Sequence, residues 1–309
     1  MEYAIGIDLG GTSIKYALVD KVGNSLFEGE LPSFASTSAE KVKEQLLCAA
    51  TLVMQKATEE NLPVKGIGVG TPGIVDATNR IVLGGAENIV GWEHVDIDYY
   101  LEEHTGLPVM VGNDANLMGL GETMFGAGRG HTHVVFLTVG TGIGGAVIID
   151  GKLFNGYANR GTELGHIPLM ADGERCACGG TGCLEHYAST AALVRQFMAA
   201  AAEEGLSFDT PINGRLIVDL YRQGHPLAVR CLNRHFYYLG RGIAGLVNIF
   251  SPQLIVIGGG ISEAGTFYLE QIKQVVTEQV MADCAVNTEI VIANLGNRAG
   301  LIGAASLIL

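Results

Sequence analysis

The chain repeats its own opening. The segment Gly6-Ile-Asp-Leu-Gly-Gly-Thr-Ser-Ile-Lys-Tyr-Ala-Leu-Val-Asp20 lies on Phe136-Leu-Thr-Val-Gly-Thr-Gly-Ile-Gly-Gly-Ala-Val-Ile-Ile-Asp150 at one constant offset. Gly140 falls on Gly10 and Asp150 on Asp20, and after a three-residue deletion Leu153-Phe154 falls on Leu26-Phe27. Each half therefore starts with the same strand, glycine hairpin and strand, and any fold must accommodate that unit twice. In the first copy Gly10 and Gly11 allow close approach of a phosphate, while Thr12 and Ser13 offer amides and hydroxyls to it. Gly140, Thr141 and Gly142 are the counterparts in the second copy. Neither copy has the Walker pattern Gly-x-x-x-x-Gly-Lys-Ser/Thr, and no helix follows the first. A plain β-turn accounts for either hairpin alone. Two hairpins gripping a nucleotide's phosphates from both sides account for the pair. Asp8, at a strand end, suits a magnesium ion held through water.

A second feature is the run from Glu163 to Glu185. It opens Glu-Leu-Gly-His (163–166), passes through a short apolar segment expected to be a strand, and continues Cys176-Ala-Cys178-Gly-Gly-Thr-Gly-Cys183-Leu-Glu185. Three cysteines and His166 make a Cys3His set, which suits one tetrahedral Zn2+. Such a set leaves no open coordination position, so the metal is expected to be structural and to orient its neighbours Glu163 and Glu185. The competing readings are a plain cluster of buried thiols or a reducible disulfide. Cys-x-Cys spacing strains a disulfide, and the intervening glycines fit a ligand loop.

With 309 residues, the chain is expected to form two domains. No run of 18 or more apolar residues indicates a membrane span. The N-terminus enters an apolar strand with no basic leader, so no signal peptide is expected. Three of the six cysteines sit in the metal set and the others are scattered, which together with that N-terminus points to reduced cytoplasm. A formal charge of −13 argues against a nucleic-acid partner. ATP remains compatible with it, because magnesium and backbone amides hold phosphates without many lysines.

Periodicity places strands at 25–31, 65–70, 108–112, 254–257 and 288–293. Helices are expected at 39–60, 97–105, 190–204, 214–223, 226–250, 263–281 and 298–309, the last packing on the first domain. Asn113-Asp114-Ala115-Asn116 opens a further helix, through Phe125, at the C-terminal end of a strand. That position is an ordinary helix cap and also the edge at which open α/β sheets bind ligands. Gly258-Gly259-Gly260 follows the buried strand 254–257 in a strand, glycine turn and helix arrangement that commonly contacts nucleotides.

Glu-x-Gly-His followed by Cys-x-Cys-Gly-x-x-Gly-Cys-x-Glu resembles the zinc-containing signature of the ROK family of repressors and sugar kinases. Asp-x-Gly-Gly-Thr-x-x-Lys15 is similar to the first phosphate loop of the actin-like ATPase fold, and Asn-Asp-Ala-Asn matches the family's pattern completely. The resemblance covers nearly the whole chain. It implies an α/β, ribonuclease H-like, two-domain sugar kinase fold. The expected division is 1–112 plus 298–309 against 113–297, with the active site in the cleft between them. It further implies Asp114 as the base for a sugar hydroxyl, with Asn113, Glu163, His166 and Glu185 reading hydroxyls. Gly73 and Asn88 would line one wall, and Gly258, Gly259 and Gly260 would contact adenosine. Trp92, in the same loop as Asn88, is read as a packing residue. ATP with Mg2+, a hexose substrate and a homodimer are expected. Family members phosphorylate glucose, N-acetylglucosamine, N-acetylmannosamine, fructose or allose, and glucose at the 6-hydroxyl is favoured because the motifs resemble bacterial glucokinases. The alternatives from other classes are a sugar-sensing repressor and a catalytically silent sugar-binding protein. A repressor would place a DNA-binding helix–turn–helix ahead of Asp8, where seven residues stand.

Overall fold

The computed structural model describes residues 2–78, 80–86 and 88–309. It divides into two compact units, Met1–Gly130 with Ala146–Thr162 and Asn294–Leu309, and His131–Gly145 with Glu163–Ala293.

The first unit is built on β1 (Tyr3–Leu9), β2 (Ser13–Asp20) and β3 (Ser25–Pro32), followed by α1 (Ala39–Glu59) and β4 (Val64–Thr71). Then come the short strands β5 (Ile74–Val75), β6 (Ile81–Gly84) and β7 (Val95–Asp96), helix α2 (Ile97–Thr105), β8 (Val109–Asn113) and α3 (Asp114–Phe125). The main sheet runs β3-β2-β1-β4-β8. β1 is antiparallel to β2, and Asp8 stands opposite Lys15. β4 is parallel to both β1 and β8, so the C-terminal ends of three strands share one edge. Ser38 caps α1 through the Lys41 N–H. The helix buries Val42, Leu46, Ala49, Ala50, Val53 and Ala57, the stripe its 3.6-residue spacing dictates.

The second unit takes β9 (Val134–Val139) and the start of β10 (Ile143–Ile149), whose remainder pairs with β11 (Lys152–Leu153) in the first unit. Helices α4 (Leu184–Ala188), α5 (Thr190–Glu203), α6 (Gly214–Arg222) and α7 (Pro226–Phe250) follow. Next are β12 (Leu254–Gly258), α8 (Thr266–Gln279), α9 (Ala282–Ala285) and β13 (Glu289–Ile292), before α10 (Ala299–Ala305) closes the chain in the first unit. The second sheet is ordered β11-β10-β9-β12-β13, with β12 parallel to β9 and to β13. The duplication is thus visible in space: β9 and β10 stand to the second sheet as β1 and β2 stand to the first.

Several expectations need correction. The helix expected over 263–281 begins only at Thr266. Residues Gly260–Ala264 form a 3-10 turn, and Gly265 at φ 101° breaks the chain direction before α8. The apolar stretch after His166 is no strand; Leu164–His166 is a 3-10 turn and Pro168 makes a lone bridge to Cys183. The three-stranded sheet β5-β6-β7 was not expected. The unit boundary also falls elsewhere than at 112/113. α3 packs on α10 so closely that a Cβ on Gly303 would lie 1.8 Å from the Leu117 carbonyl oxygen, which keeps Asp114 in the first unit. α10 in turn lies backbone to backbone on β1 and β4. A Cβ on Gly6 would meet Leu301 O at 1.9 Å, and one on Gly68 would meet Ala304 O at 1.8 Å. Among the described residues no helix is long and apolar enough to cross a membrane.

Candidate active site

In the first unit, the adjacent ends of β1, β4 and β8 bring Asp8, Gly70 and Asn113-Asp114 together. A Cβ on Gly70 would lie 3.6 Å from Asp8 Oδ1 and 3.7 Å from Asp114 Cα, so the strand between the two acids carries no side chain there. On its other side, the Asp8 carboxyl fills the space beside Gly300 of α10, where a Cβ would sit 2.5 Å from it. Burial, and then the charge of Asp114, push the Asp8 carboxyl up to about 7 against the opposing pull of Lys15. Such a carboxyl favours a cation partner, which fits Asp8 to magnesium. The same shift has a sign for stability. The folded chain holds the Asp8 proton that the unfolded chain releases near the ordinary carboxylate value, so this contribution is complete below about pH 4 and is lost as pH rises toward 7. Ligand-free protein should therefore lose urea stability over that window through Asp8, and Asp8→Asn should flatten this component. An unchanged pH slope in the variant would refute the assignment.

The Asn113 side chain works twice. Its Oδ1 accepts the Asn116 N–H at 3.0 Å, capping α3, and its Nδ2 donates to Gly73 O at 3.0 Å. Gly73 itself takes φ 95° and touches Gly84, where a Cβ would clash at 2.6 Å. Asp114 Oδ1 accepts the Ala115 N–H at 2.8 Å in the first turn of α3. The first hairpin closes with the Gly10 N–H donating to Ser13 O at 2.8 Å. Asn88 stands beside it; a Cβ on Gly11 would lie 3.1 Å from Asn88 Nδ2. Trp92 is buried, 2% exposed, and its Nε1–H donates to Thr71 Oγ1 at 2.8 Å, so it packs and fastens the loop rather than facing outward.

In the second unit, the hairpin closes with the Gly140 N–H donating to Gly142 O at 2.9 Å, and Gly140 O accepts the Thr190 N–H from the start of α5 at 2.8 Å. Glu185, in the first turn of α4, accepts the Ile143 N–H at Oε2 at 2.8 Å. Glu163 is exposed, and its carbonyl accepts the His166 N–H at 3.0 Å. Gly258 ends β12; Gly259, at φ 92°, lies against Val139, where a Cβ would meet the carbonyl oxygen at 2.2 Å. A cavity of about 1030 Å³ within this unit is lined by Gly140, Thr141, Thr190, Met198, Asn213, Arg222 and Gly260, among others. It thus joins the second hairpin to the glycine turn after β12, two features the sequence marked separately. Its helix-borne wall, including Thr190, Val194, Met198, Asn213 and Val218, carries no motif and was missed.

His166, Cys176, Cys178 and Cys183 converge, with ligand atoms all within 4.8 Å of one another. Cys178 Sγ lies 3.6 Å from Cys183 Sγ, and His166 Nδ1 lies 3.7 Å from Cys176 Sγ. A zinc tetrahedron with bonds of about 2.3 Å sets sulfurs about 3.8 Å apart, so the four residues fit the ion without a disulfide. Burial, and then the neighbouring thiols, push the Cys183 thiol up to about 12, a shift that a bound cation would reverse.

The ROK family model matches residues 4–309. A glucokinase of Thermotoga maritima is 35% identical over 98% of this chain and 96% of its own length. The crystal structure of a ROK family glucokinase from Streptomyces griseus in complex with glucose and AMPPNP superposes with a TM-score of 0.85 at 34% identity, covering 99% of both chains. A xylose repressor of Bacillus spizizenii is 29% identical over 99% of this chain but only 77% of the repressor. The fold is the α/β sugar kinase fold of the actin-like ATPase class. The chain belongs to the ROK family.

Proposed function

We propose that this protein transfers the γ-phosphoryl group of ATP to the 6-hydroxyl of glucose. The observation that carries the reading is Asp114, set at the start of α3 beside Asp8, in a chain similar over nearly its whole length to a kinase solved with glucose and AMPPNP. Asp114 takes the proton of the sugar hydroxyl as that oxygen bonds to the γ-phosphorus. The bond from phosphorus to the β,γ-bridging oxygen breaks, and ADP leaves with the electron pair. The Gly10-Gly11-Thr12 and Gly140-Thr141-Gly142 hairpins hold the phosphates through backbone amides, and Lys15 adds a positive charge. Asp8 would hold magnesium, which supplies charge neutralisation on the phosphates when bound with ATP. Gly260 lines the cavity, and with the adjoining Gly258 and Gly259 it makes the turn that takes the nucleoside. Asn88, Asn113, Glu163, His166 and Glu185 read the sugar, carboxylates being suited to accept hydroxyl donors. Zinc held by His166, Cys176, Cys178 and Cys183 would fix the last three of these readers.

The test is kcat/KM over a panel of sugars at saturating ATP and magnesium. Glucose should exceed N-acetylglucosamine and N-acetylmannosamine. 2-Deoxyglucose should be clearly poorer, because a site built to bond a hydroxyl leaves its polar groups unpaired when that hydroxyl is missing. An N-acetylhexosamine at the top of the panel would keep the kinase chemistry and overturn the choice of glucose.

A further inference from the structure

We infer that the sugar-reading residues also set the shape of the phosphate hairpins, so that sugar and nucleotide bind with mutual reinforcement. The inference rests on the sugar kinase reading and goes beyond it. Its centre is the backbone of Ile143, the first residue after the second hairpin. On one side the Ile143 N–H donates to Glu185 Oε2 at 2.8 Å. On the other, Gly165, between the readers Glu163 and His166, comes so near that a Cβ would lie 2.0 Å from the Ile143 carbonyl oxygen. Both reader segments thus grip the backbone of one residue at the exit of the phosphate loop, one through its N–H and the other beside its carbonyl. Gly142 shows the same closeness, since a Cβ there would lie 2.3 Å from Glu185 Oε2. At the first hairpin Asn88 also lies close, since a Cβ on Gly11 would be 3.1 Å from its Nδ2.

A carboxylate has two oxygens. Glu185 commits Oε2 to the hairpin, which leaves Oε1 for a sugar hydroxyl. A hydroxyl bound at Oε1 fixes the carboxylate plane and with it the direction of the Ile143 N–H, so the hairpin is held before ATP arrives. Hairpin amides ordered by phosphate fix the carboxylate for sugar in return. Linkage makes the two effects equal. Glu185 is therefore a positioning residue for the nucleotide as well as a contact for the sugar.

The experiment is calorimetric titration of AMPPNP with magnesium, with and without saturating glucose, in wild type, Gly142→Ala and Glu185→Gln. Wild type should bind AMPPNP about tenfold more tightly with glucose, an order of magnitude typical of coupled sites. Gly142 has no positive φ, and the atom its new methyl would meet is the end of a flexible side chain, so Gly142→Ala should fold while pushing the carboxylate off the hairpin. At saturating glucose its enhancement should fall to about twofold or less. Glu185→Gln should lose the enhancement as well, and the double variant should lose no more than either alone. A wild-type protein that phosphorylates glucose but binds AMPPNP equally with and without it would overturn the coupling and leave the kinase reading standing. So would full enhancement in both single variants. A wild type that binds no glucose would overturn both.

Discussion

Asp114→Asn is expected to lower kcat for glucose by roughly 10²–10⁴-fold, the usual effect of losing a general base. The amide keeps the oxygen that accepts the Ala115 N–H, so the start of α3 and the neighbouring Asn113 cap should survive. A negative charge in the first helical turn contributes only a few tenths of a kcal/mol to about 1 kcal/mol, too little to unfold the unit. Removing that charge also removes one of the two influences that raise Asp8, so Asp8 in the variant should ionise at lower pH. Glucose affinity measured by titration should stay near wild type, because the readers are untouched. Loss confined to kcat is the signature of an interaction made in the transition state. Turnover near wild type would remove Asp114 from the role of base.

Cys178→Ser should have the second large effect. Purified wild type is expected to contain about one zinc per chain, from the four-ligand count. The variant should lose most of it, since serine is a poor ligand for zinc at neutral pH. The consequence should reach the sugar through a short route. Cys183 stands at the N-cap of α4, and Glu185 is two residues further on. His166 belongs to the same four-residue cluster and follows directly on Gly165, which abuts Ile143. Loosening the knot therefore loosens Glu185, His166 and the second hairpin together. The glucose kcat/KM should fall about 10–100-fold, as for lost orientation around a metal centre. A zinc-free variant with wild-type kinetics would show that the knot supports no reader.

Much of this was legible because its signals are local. The duplicated hairpins can be seen in the spacing of Gly10 and Gly140, and α7 spans Pro226–Phe250 as its apolar stripe and opening proline dictate. Asn113-Asp114 could be placed at a strand end because the apolar run before it stops there. What could not be read depends on close approach between distant backbones. Gly6, Gly68, Gly300 and Gly303 carry no pattern, yet they let α10 lie on β1, β4 and α3 and leave room for the Asp8 carboxyl. The unit boundary was misplaced for the same reason, since only that packing shows α3 to belong with the first sheet. β5 and β7 are two residues long, below what alternation can detect. The left-handed backbone at Ala158, Asn159 and Thr162 has no glycine to announce it. The grip on Ile143 joins a main-chain amide to a side chain 42 residues away, and no residue type marks it.

The central claim is transfer of the γ-phosphoryl group to the 6-hydroxyl of glucose, and the most direct measurement is the product itself. Protein, glucose, ATP and magnesium should be incubated together, with ADP and glucose 6-phosphate quantified separately in the same samples. The account predicts equal amounts of the two, and only slow ADP release when glucose is left out, because water is not held in line with the γ-phosphoryl group. Fast ADP release without sugar, or a sugar phosphate esterified at another hydroxyl, would contradict it.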